Sequence, residues 1–249
     1  MIVGFVGSGS MAAAMARGWA GAFERMLFTD SGSGRAADLA REVEGEAVES
    51  NAALAEAADL IVLAVKPVRL DTVAAEMGAT DKAVVSLLGA TSLDTVAAAF
   101  PGADVFRVMP NVGVEVRRGV LCFAAASEGS AWVRGSLEVL GRVVELPDED
   151  FDAATAVMGC APAYLALAIE AIADAGAEAG LDPDLSRELV VDTAAGTAEL
   201  LRRRLPADVR QAVASPGGST EAGLEALERE GVRKAFEAAV EASLARMRG

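Results

Sequence analysis

The 249 residues carry 37 acidic against 22 basic side chains, a net charge of -15, which repels nucleic-acid phosphates and anionic lipid headgroups and argues against a nucleic-acid or membrane partner. Histidine is absent, removing the side chain most used for acid-base work near neutral pH and the commonest metal ligand, so no metal site is expected. Only 4% of the chain is aromatic although 53% is hydrophobic, so the core must be built mainly of Ala, Val and Leu.

Met1 to Gly7 has neither the basic region nor the apolar core of a signal peptide, and no apolar run is read as reaching the ~18 residues of a membrane span. Two cysteines in apolar surroundings, Cys122 and Cys160, suggest neither a disulfide framework nor a thiolate metal site. A soluble, cytoplasmic protein is expected.

Short apolar runs recur at Ile2 to Val6, Met26 to Phe28, Leu60 to Val65, Ala83 to Leu88, Val105 to Met109, Val120 to Ala126 and Arg142 to Leu146. Alanine-rich helical stretches or polar turns separate them, which predicts an α/β fold with an N-terminal, Rossmann-type doubly wound sheet over residues 1–147. After Pro147 the strand signal stops. Phe151 to Gly180, Pro183 to Arg204 and Gly231 to Arg248 read as helices, so residues 148–249 form an all-α domain. With so few large side chains its core is thin, and a second copy is expected to supply the missing contacts, giving a homodimer or an oligomer of dimers.

The first chemical motif is Gly7-Ser8-Gly9-Ser10-Met11-Ala12, between the opening strand and a helix. Gly7 permits a tight turn, Gly9 lets the backbone approach a pyrophosphate, and the helix N-terminus faces its charge, so a dinucleotide is expected. The second strand ends in Asp30, 23 residues beyond Gly7, where a carboxylate can bind a ribose diol and favour NADH. Ser31, Ser33 and Arg35 follow at once and suit a 2'-phosphate, favouring NADPH, while a turn role for Asp30 is the third possibility. Asn51 can touch the adenosine half or merely cap a helix. Ala64-Val65-Lys66-Pro67 lies at a strand's carboxyl end, where cofactors sit in such folds, and Asn111 ends the next such motif, Arg107-Val108-Met109-Pro110-Asn111. Its amide can orient a nicotinamide or substrate, or cap a turn.

In the helical half, Met158-Gly159-Cys160-Ala161-Pro162-Ala163-Tyr164 should kink its helix, because Pro162 lacks an N-H. Ser215-Pro216-Gly217-Gly218-Ser219-Thr220 precedes a further helical run, so backbone N-H groups can converge on an anion with Ser215, Ser219 and Thr220 adding hydroxyls.

Taken in order, Gly-Phe-Val-Gly-Ser-Gly-Ser-Met (4 to 11), Ala-Val-Lys-Pro (64 to 67), Arg-Val-Met-Pro-Asn (107 to 111), Pro-Ala-Tyr (162 to 164) and Ser-Pro-Gly-Gly-Ser-Thr (215 to 220) resemble the pyrroline-5-carboxylate reductase family. The resemblance spans almost the whole chain and implies a Rossmann domain, a helical domain that interlocks with its twin, and reduction of the cyclic imine 1-pyrroline-5-carboxylate by NADPH or NADH. It implies Gly7, Ser8, Gly9, Ser10 and Met11 at the pyrophosphate, Asn51 near the adenosine, and Ala64, Val65, Lys66 and Pro67 beside the nicotinamide half. It places the backbone of Gly217, Gly218 and Ser219 on the substrate carboxylate and Thr220 on the ring nitrogen, with Ser215 and Cys160 at the substrate. An imine can take its proton from water, so a neutral hydroxyl suffices and histidine is not needed. The chain departs from the family at Met158-Gly159-Cys160-Ala161, where Ser-Gly-Ser-Gly is usual, and at Gly113, where a proline is common.

Two other readings compete. β-Hydroxyacid dehydrogenases share the plan but place a catalytic lysine in the helical domain, and there is none between Phe151 and Val232. A related imine reductase with another substrate, or a non-catalytic dinucleotide-binding homologue, would keep the fold.

Overall fold

The computed structural model describes residues 1–125 and 131–248. It contains an eight-stranded sheet built from β1 (Ile2–Val6), β2 (Arg25–Thr29), β3 (Glu46–Ala47), β4 (Leu60–Leu63), β5 (Ala83–Ser86), β6 (Asp104–Pro110), β7 (Gly119–Ala125) and β8 (Gly141–Glu145). Their order is β3-β2-β1-β4-β5-β6-β7-β8, and every neighbouring pair is parallel except β6 and β7. The seven apolar runs became strands, although Ala126 lies outside the described residues. β3 has two exposed residues and therefore no apolar signal to read.

Helices α1 (Ser10–Gly18), α2 (Arg35–Glu42), α3 (Asn51–Ala57), α4 (Leu70–Met77), α5 (Leu93–Ala99) and α6 (Ala131–Glu138) connect the strands. Along β4 every side chain is buried, with Leu60 and Val62 in one hydrophobic layer and Ile61 and Leu63 in the other. Two-residue alternation with both faces covered is what a parallel sheet under helices requires. In one layer Phe5 stacks on Phe28 at 5.2 Å and meets Trp19 at 5.9 Å, and the buried indole N-H of Trp19 donates to the Ser136 carbonyl at 2.8 Å. Burying a Phe side chain of this kind stabilises by about 2–3 kcal/mol.

The sheet's exit is pinned by an ion pair. Arg107 on β6, 4% exposed, donates through Nη1 to Asp148 Oδ1 at 2.8 Å, with its guanidinium 4.5 Å from the centre of the Phe151 ring. The other Asp148 oxygen accepts from the Leu93 N-H at the start of α5.

Beyond it come α7 (Phe151–Ala154), a π-helical turn over Thr155–Gly159, α8 (Ala161–Glu178), α9 (Pro183–Leu201), α10 (Pro206–Val213), α11 (Ser219–Arg229) and α12 (Val232–Arg248). The chain forms two compact units, Met1–Cys160 with the last turn of α12 from Arg246, and Ala161–Ala245. This division falls later than the expected boundary after residue 147, because Phe151 is wholly buried in the sheet's second hydrophobic layer. The expected kink at Pro162 takes another form. The N-H of Cys160 donates to the Thr155 carbonyl, five residues back, and a new helix begins at Ala161. Pro162 thus occupies a first turn, where its missing N-H leaves no gap.

In the second unit only Ala173 and Ser186 are buried among the described residues. Ser186 Oγ donates to the Ala173 carbonyl at 2.7 Å, and a Cβ on Gly176 would lie 2.3 Å from that hydroxyl oxygen, so α8 and α9 touch through small residues. Tyr164 on α8 shares a 2.5 Å hydrogen bond with Ser243 Oγ on α12. Asp148–Glu178 is long and apolar enough by length and composition to cross a membrane, contrary to the expectation that no run would be. Its uncharged stretch from Ala153 to Ile169 is interrupted by Gly159 and Pro162 and closed by Asp152 and Glu170, so it was not read as an uninterrupted apolar run.

Candidate functional site: a dinucleotide cleft and a helix-start anion cradle

The order of the sheet reverses direction between β1 and β4, and a ligand in such a sheet binds at the carboxyl ends of those strands. A cleft of about 520 Å³ opens there, lined by Gly7, Ser8, Gly9, Thr29, Asp30, Ser31, Arg35, Asn51, Ala64, Val65 and Lys66 among others. This volume suits a cofactor site. Most of the expected cofactor residues are therefore gathered in one place. Ser10 and Met11 line an adjoining hollow with Gly9 and Arg35, and Pro67 begins the short turn that follows Lys66.

Gly7 has φ +97°, and a Cβ there would lie 2.7 Å from the Ala64 carbonyl oxygen, so only glycine lets β1 turn so close to β4. Gly9 is different: a Cβ would meet no protein atom within 4 Å. The space it spares belongs to the cleft, as expected where a backbone must approach a ligand. Gly9 is also the N-cap of α1 and contributes no side-chain cap, leaving the helix's first amides directed outward. These features fit a dinucleotide pyrophosphate. Ser8 takes a structural part, since its buried hydroxyl donates to the Thr29 carbonyl at 3.0 Å.

Asp30 does not have the free carboxylate that a ribose diol needs. Oδ1 accepts from the Gly32 and Ser33 N-H groups at 2.7 and 3.0 Å, and Oδ2 from the Ala36 N-H at 2.8 Å and the Ser33 hydroxyl at 3.0 Å. Four donors fill the usual capacity of a carboxylate. The Ala36 N-H foremost, with the Ser33 hydroxyl and the other amides, holds the Asp30 carboxyl below its ordinary value of 3.8 against the opposing effect of desolvation. Asp30 takes the turn role and organises the loop carrying Ser31, Ser33 and Arg35. Arg35 Nε donates to Ser33 Oγ at 3.1 Å within that loop.

Asn51 is not the cap of α3. Ser50 is, its hydroxyl accepting from the Ala53 N-H. Asn51 instead accepts from Thr29 Oγ1 at 2.6 Å and donates through Nδ2 to Glu76 Oε2 at 2.7 Å, at the rim of the cleft. Glu76 had no sequence signal, being one acidic residue on an ordinary helix face.

Asn111 also departs from expectation. Its Oδ1 accepts from the Val120 N-H at 3.1 Å and its Nδ2 donates to the Met158 carbonyl at 3.2 Å, so the amide ties β7 to the π-helical turn rather than reaching for a nicotinamide. A Cβ on Gly113 would approach Asn111 Oδ1 to 3.2 Å and the Arg118 carbonyl to 3.0 Å, a tight fit for anything larger than glycine. Cys160 follows the π turn as a half-buried free thiol, while burial raises the Cys122 thiol's pKa. Among the described residues no cluster of Cys, Asp or Glu could hold a metal ion.

In the helical unit Gly218 is the N-cap of α11 and Gly217 turns at φ +70°. The geometry moves the expected anion cradle along the chain. The Gly217 N-H donates to Glu221 Oε2 at 2.6 Å, and the Gly218 N-H donates to the Ser215 carbonyl at 2.9 Å. Two of the three amides expected on the substrate carboxylate, those of Gly217 and Gly218, thus serve the turn itself, and that of Ser219 does not. The amides of the first helical turn, Ser219 and Thr220 among them, have no acceptor within the helix, and the Ser215, Ser219 and Thr220 side chains are exposed beside them.

A family model for pyrroline-5-carboxylate reductase dimerisation matches residues 148–249, and one for NADP oxidoreductase, coenzyme F420-dependent, matches residues 2–89. The pyrroline-5-carboxylate reductase of Synechocystis is 39% identical over 79% of this chain and 76% of its own length, and that of Thermus thermophilus is 38% identical over 76% and 74%. Among solved structures, the Streptococcus pyogenes 1-pyrroline-5-carboxylate reductase superposes with TM-score 0.91 at 28% identity, covering 99% of this chain and 98% of that one. The Plasmodium falciparum pyrroline carboxylate reductase, with NADP bound, gives 0.89 at 28% identity over 99% and 97%. Extending over both the sheet and the helical region, these likenesses establish that the chain belongs to the pyrroline-5-carboxylate reductase family.

Proposed function

We propose that the protein is an NAD(P)H-dependent pyrroline-5-carboxylate reductase that converts 1-pyrroline-5-carboxylate to L-proline, works as a homodimer or an oligomer of dimers, and prefers NADPH. The observation that carries the reaction is the start of α11: open amides beside three hydroxyls, in a chain with no imidazole. That set suits a carboxylate next to a C=N nitrogen. The cleft residues Gly7, Gly9, Ala64 and Lys66 would hold a reduced dinucleotide, which would supply the hydride.

The chain's own residues bind and orient. The Ser219 and Thr220 amides take the substrate carboxylate with the favourable end of the helix dipole behind them. Glu221 holds the preceding turn in shape through the Gly217 N-H. The Thr220 hydroxyl holds the ring nitrogen, whose proton comes from water, and a neutral group there does not compete for the iminium charge. Residues 148–249 are assigned substrate binding and dimerisation, residues 1–147 the dinucleotide, and a cytoplasmic location agrees with two free thiols.

The preference for NADPH rests on Asp30. With its carboxylate turned into its own loop it neither grips a ribose diol nor projects bare charge at a 2'-phosphate, and Ser31, Ser33 and Arg35 are left to bind one. Steady-state oxidation of NADPH and of NADH with 1-pyrroline-5-carboxylate tests substrate and cofactor together, and no turnover with either refutes the assignment. Thr220→Ala should lower kcat about 100-fold while leaving the Kd for NADPH unchanged; an unaltered kcat removes Thr220 from its role. The segment Met158 to Ala161 favours one second reading, an imine reductase for a different ring, because it offers no hydroxyl where the family usually has two serines. Turnover of an uncharged cyclic imine in preference to 1-pyrroline-5-carboxylate would establish it.

A further inference from the structure

The Asn51 amide sits between two partners of unlike character at the rim of the cleft. Thr29 Oγ1 lies 2.6 Å from Asn51 Oδ1 and 3.5 Å from the Phe5 carbonyl. A hydroxyl can donate or accept, so Thr29 tolerates either end of the amide. The Glu76 carboxylate, 2.7 Å away on the other side, can only accept. Reversing the amide would set a carbonyl oxygen against that carboxylate. Glu76 therefore decides which way Asn51 points.

We propose that Glu76 is a positioning residue for the dinucleotide: it locks the Asn51 amide so that the second N-H remains for a ribose oxygen of the adenosine half. The proposal rests on the reading of the cleft as a dinucleotide site. Arg69 Nη2, 3.8 Å from the other Glu76 oxygen, offsets the carboxylate's charge at the same rim. A carboxylate here is unsuited to lie beside a 2'-phosphate, whose expected partners Ser31, Ser33 and Arg35 belong to the loop after β2. The ribose is common to both cofactors. Loss of Glu76 consequently weakens NADP⁺ and NAD⁺ by the same factor, unlike loss of Arg35, which weakens NADP⁺ selectively.

Calorimetric titration of the full-length protein with NADP⁺ and with NAD⁺ tests this without requiring turnover. Glu76→Ala should raise both Kd values about tenfold, Asn51→Ala should do the same, and the double variant should be no worse than either alone, because one residue acts through the other. Glu76→Gln should restore the affinity only in part, since its carbonyl oxygen can accept from Asn51 but its NH2 can also donate to a reversed amide. Unchanged Kd values in Glu76→Ala, a loss confined to NADP⁺, additive losses in the double variant, or a Gln variant as weak as Ala would each overturn the proposal. Wild-type protein that binds both dinucleotides but fails to reduce 1-pyrroline-5-carboxylate refutes the proposed reaction alone and leaves the Glu76 test intact. Wild-type protein that binds neither removes both.

Discussion

The sheet unit and the helical unit bury their side chains to very different degrees. Each face of the sheet has its own hydrophobic layer, with Phe5, Trp19, Phe28 and Leu60 wholly buried in one and Leu27, Ile61, Leu63 and Phe151 in the other. The helical unit buries only Ala173 and Ser186 among its described residues, while Leu165, Leu167, Ile172, Leu189 and Leu200 stand exposed. One unit satisfies its hydrophobic pattern within a single chain. The other has the pattern without the cover, as expected of a domain whose core is completed by a second copy, and the dimerisation model matches this region.

That contrast can be broken most sharply in the sheet. Phe5→Ala removes a ring stacked on Phe28 and should cost about 3–5 kcal/mol, read as a lower denaturation midpoint at any protein concentration. In the helical unit a substitution should act through association instead. Leu167, 64% exposed in the single chain, is expected to be covered in the dimer. Leu167→Asp should weaken self-association by about 100-fold, equivalent to about 2.7 kcal/mol, and make thermal stability depend on protein concentration. Sedimentation showing an unchanged oligomer would place the covered surface elsewhere.

The smallest effect should come from the cofactor loop, which neither core governs. Asp30→Asn loses some of the four hydrogen bonds that shape it and should raise the KM for NADPH by roughly 3- to 10-fold with kcat little changed. Because the folded-state pKa of Asp30 is depressed, its contribution is fully present above the ordinary value of 3.8 and fades as pH falls through the lower folded value. Wild-type NADPH affinity should therefore show no Asp30-dependent loss from neutrality down to about pH 4. A loss near pH 6 that Asp30→Asn abolishes would contradict this.

Much of this was legible because it depends on repeating patterns. Apolar runs such as Ile2 to Val6 and Leu60 to Val65 announce buried strands, and Gly7 and Gly9 announce a strand-to-helix turn. Polar side chains were read less well. Asn51 and Asn111 each carry an amide that can donate and accept in several directions, and nothing adjacent in sequence names its partner. Asn51 meets Glu76 25 residues away and Asn111 meets Met158 47 residues away. The family resemblance implied the Gly217, Gly218 and Ser219 amides on the substrate carboxylate, but Glu221 and Ser215 supply acceptors to the first two.

The sequence by itself determined the doubly wound sheet and the helical second half, since hydrophobic period is a local property of the chain, and its motifs carried the resemblance to the family. Tertiary structure alone decided that Asn51 lies between Thr29 and Glu76 and that Arg107 meets Asp148. Those outcomes depend on which donors and acceptors folding brings within 3 Å of one another, and hydrogen bonds of that length are set by the packing of distant elements.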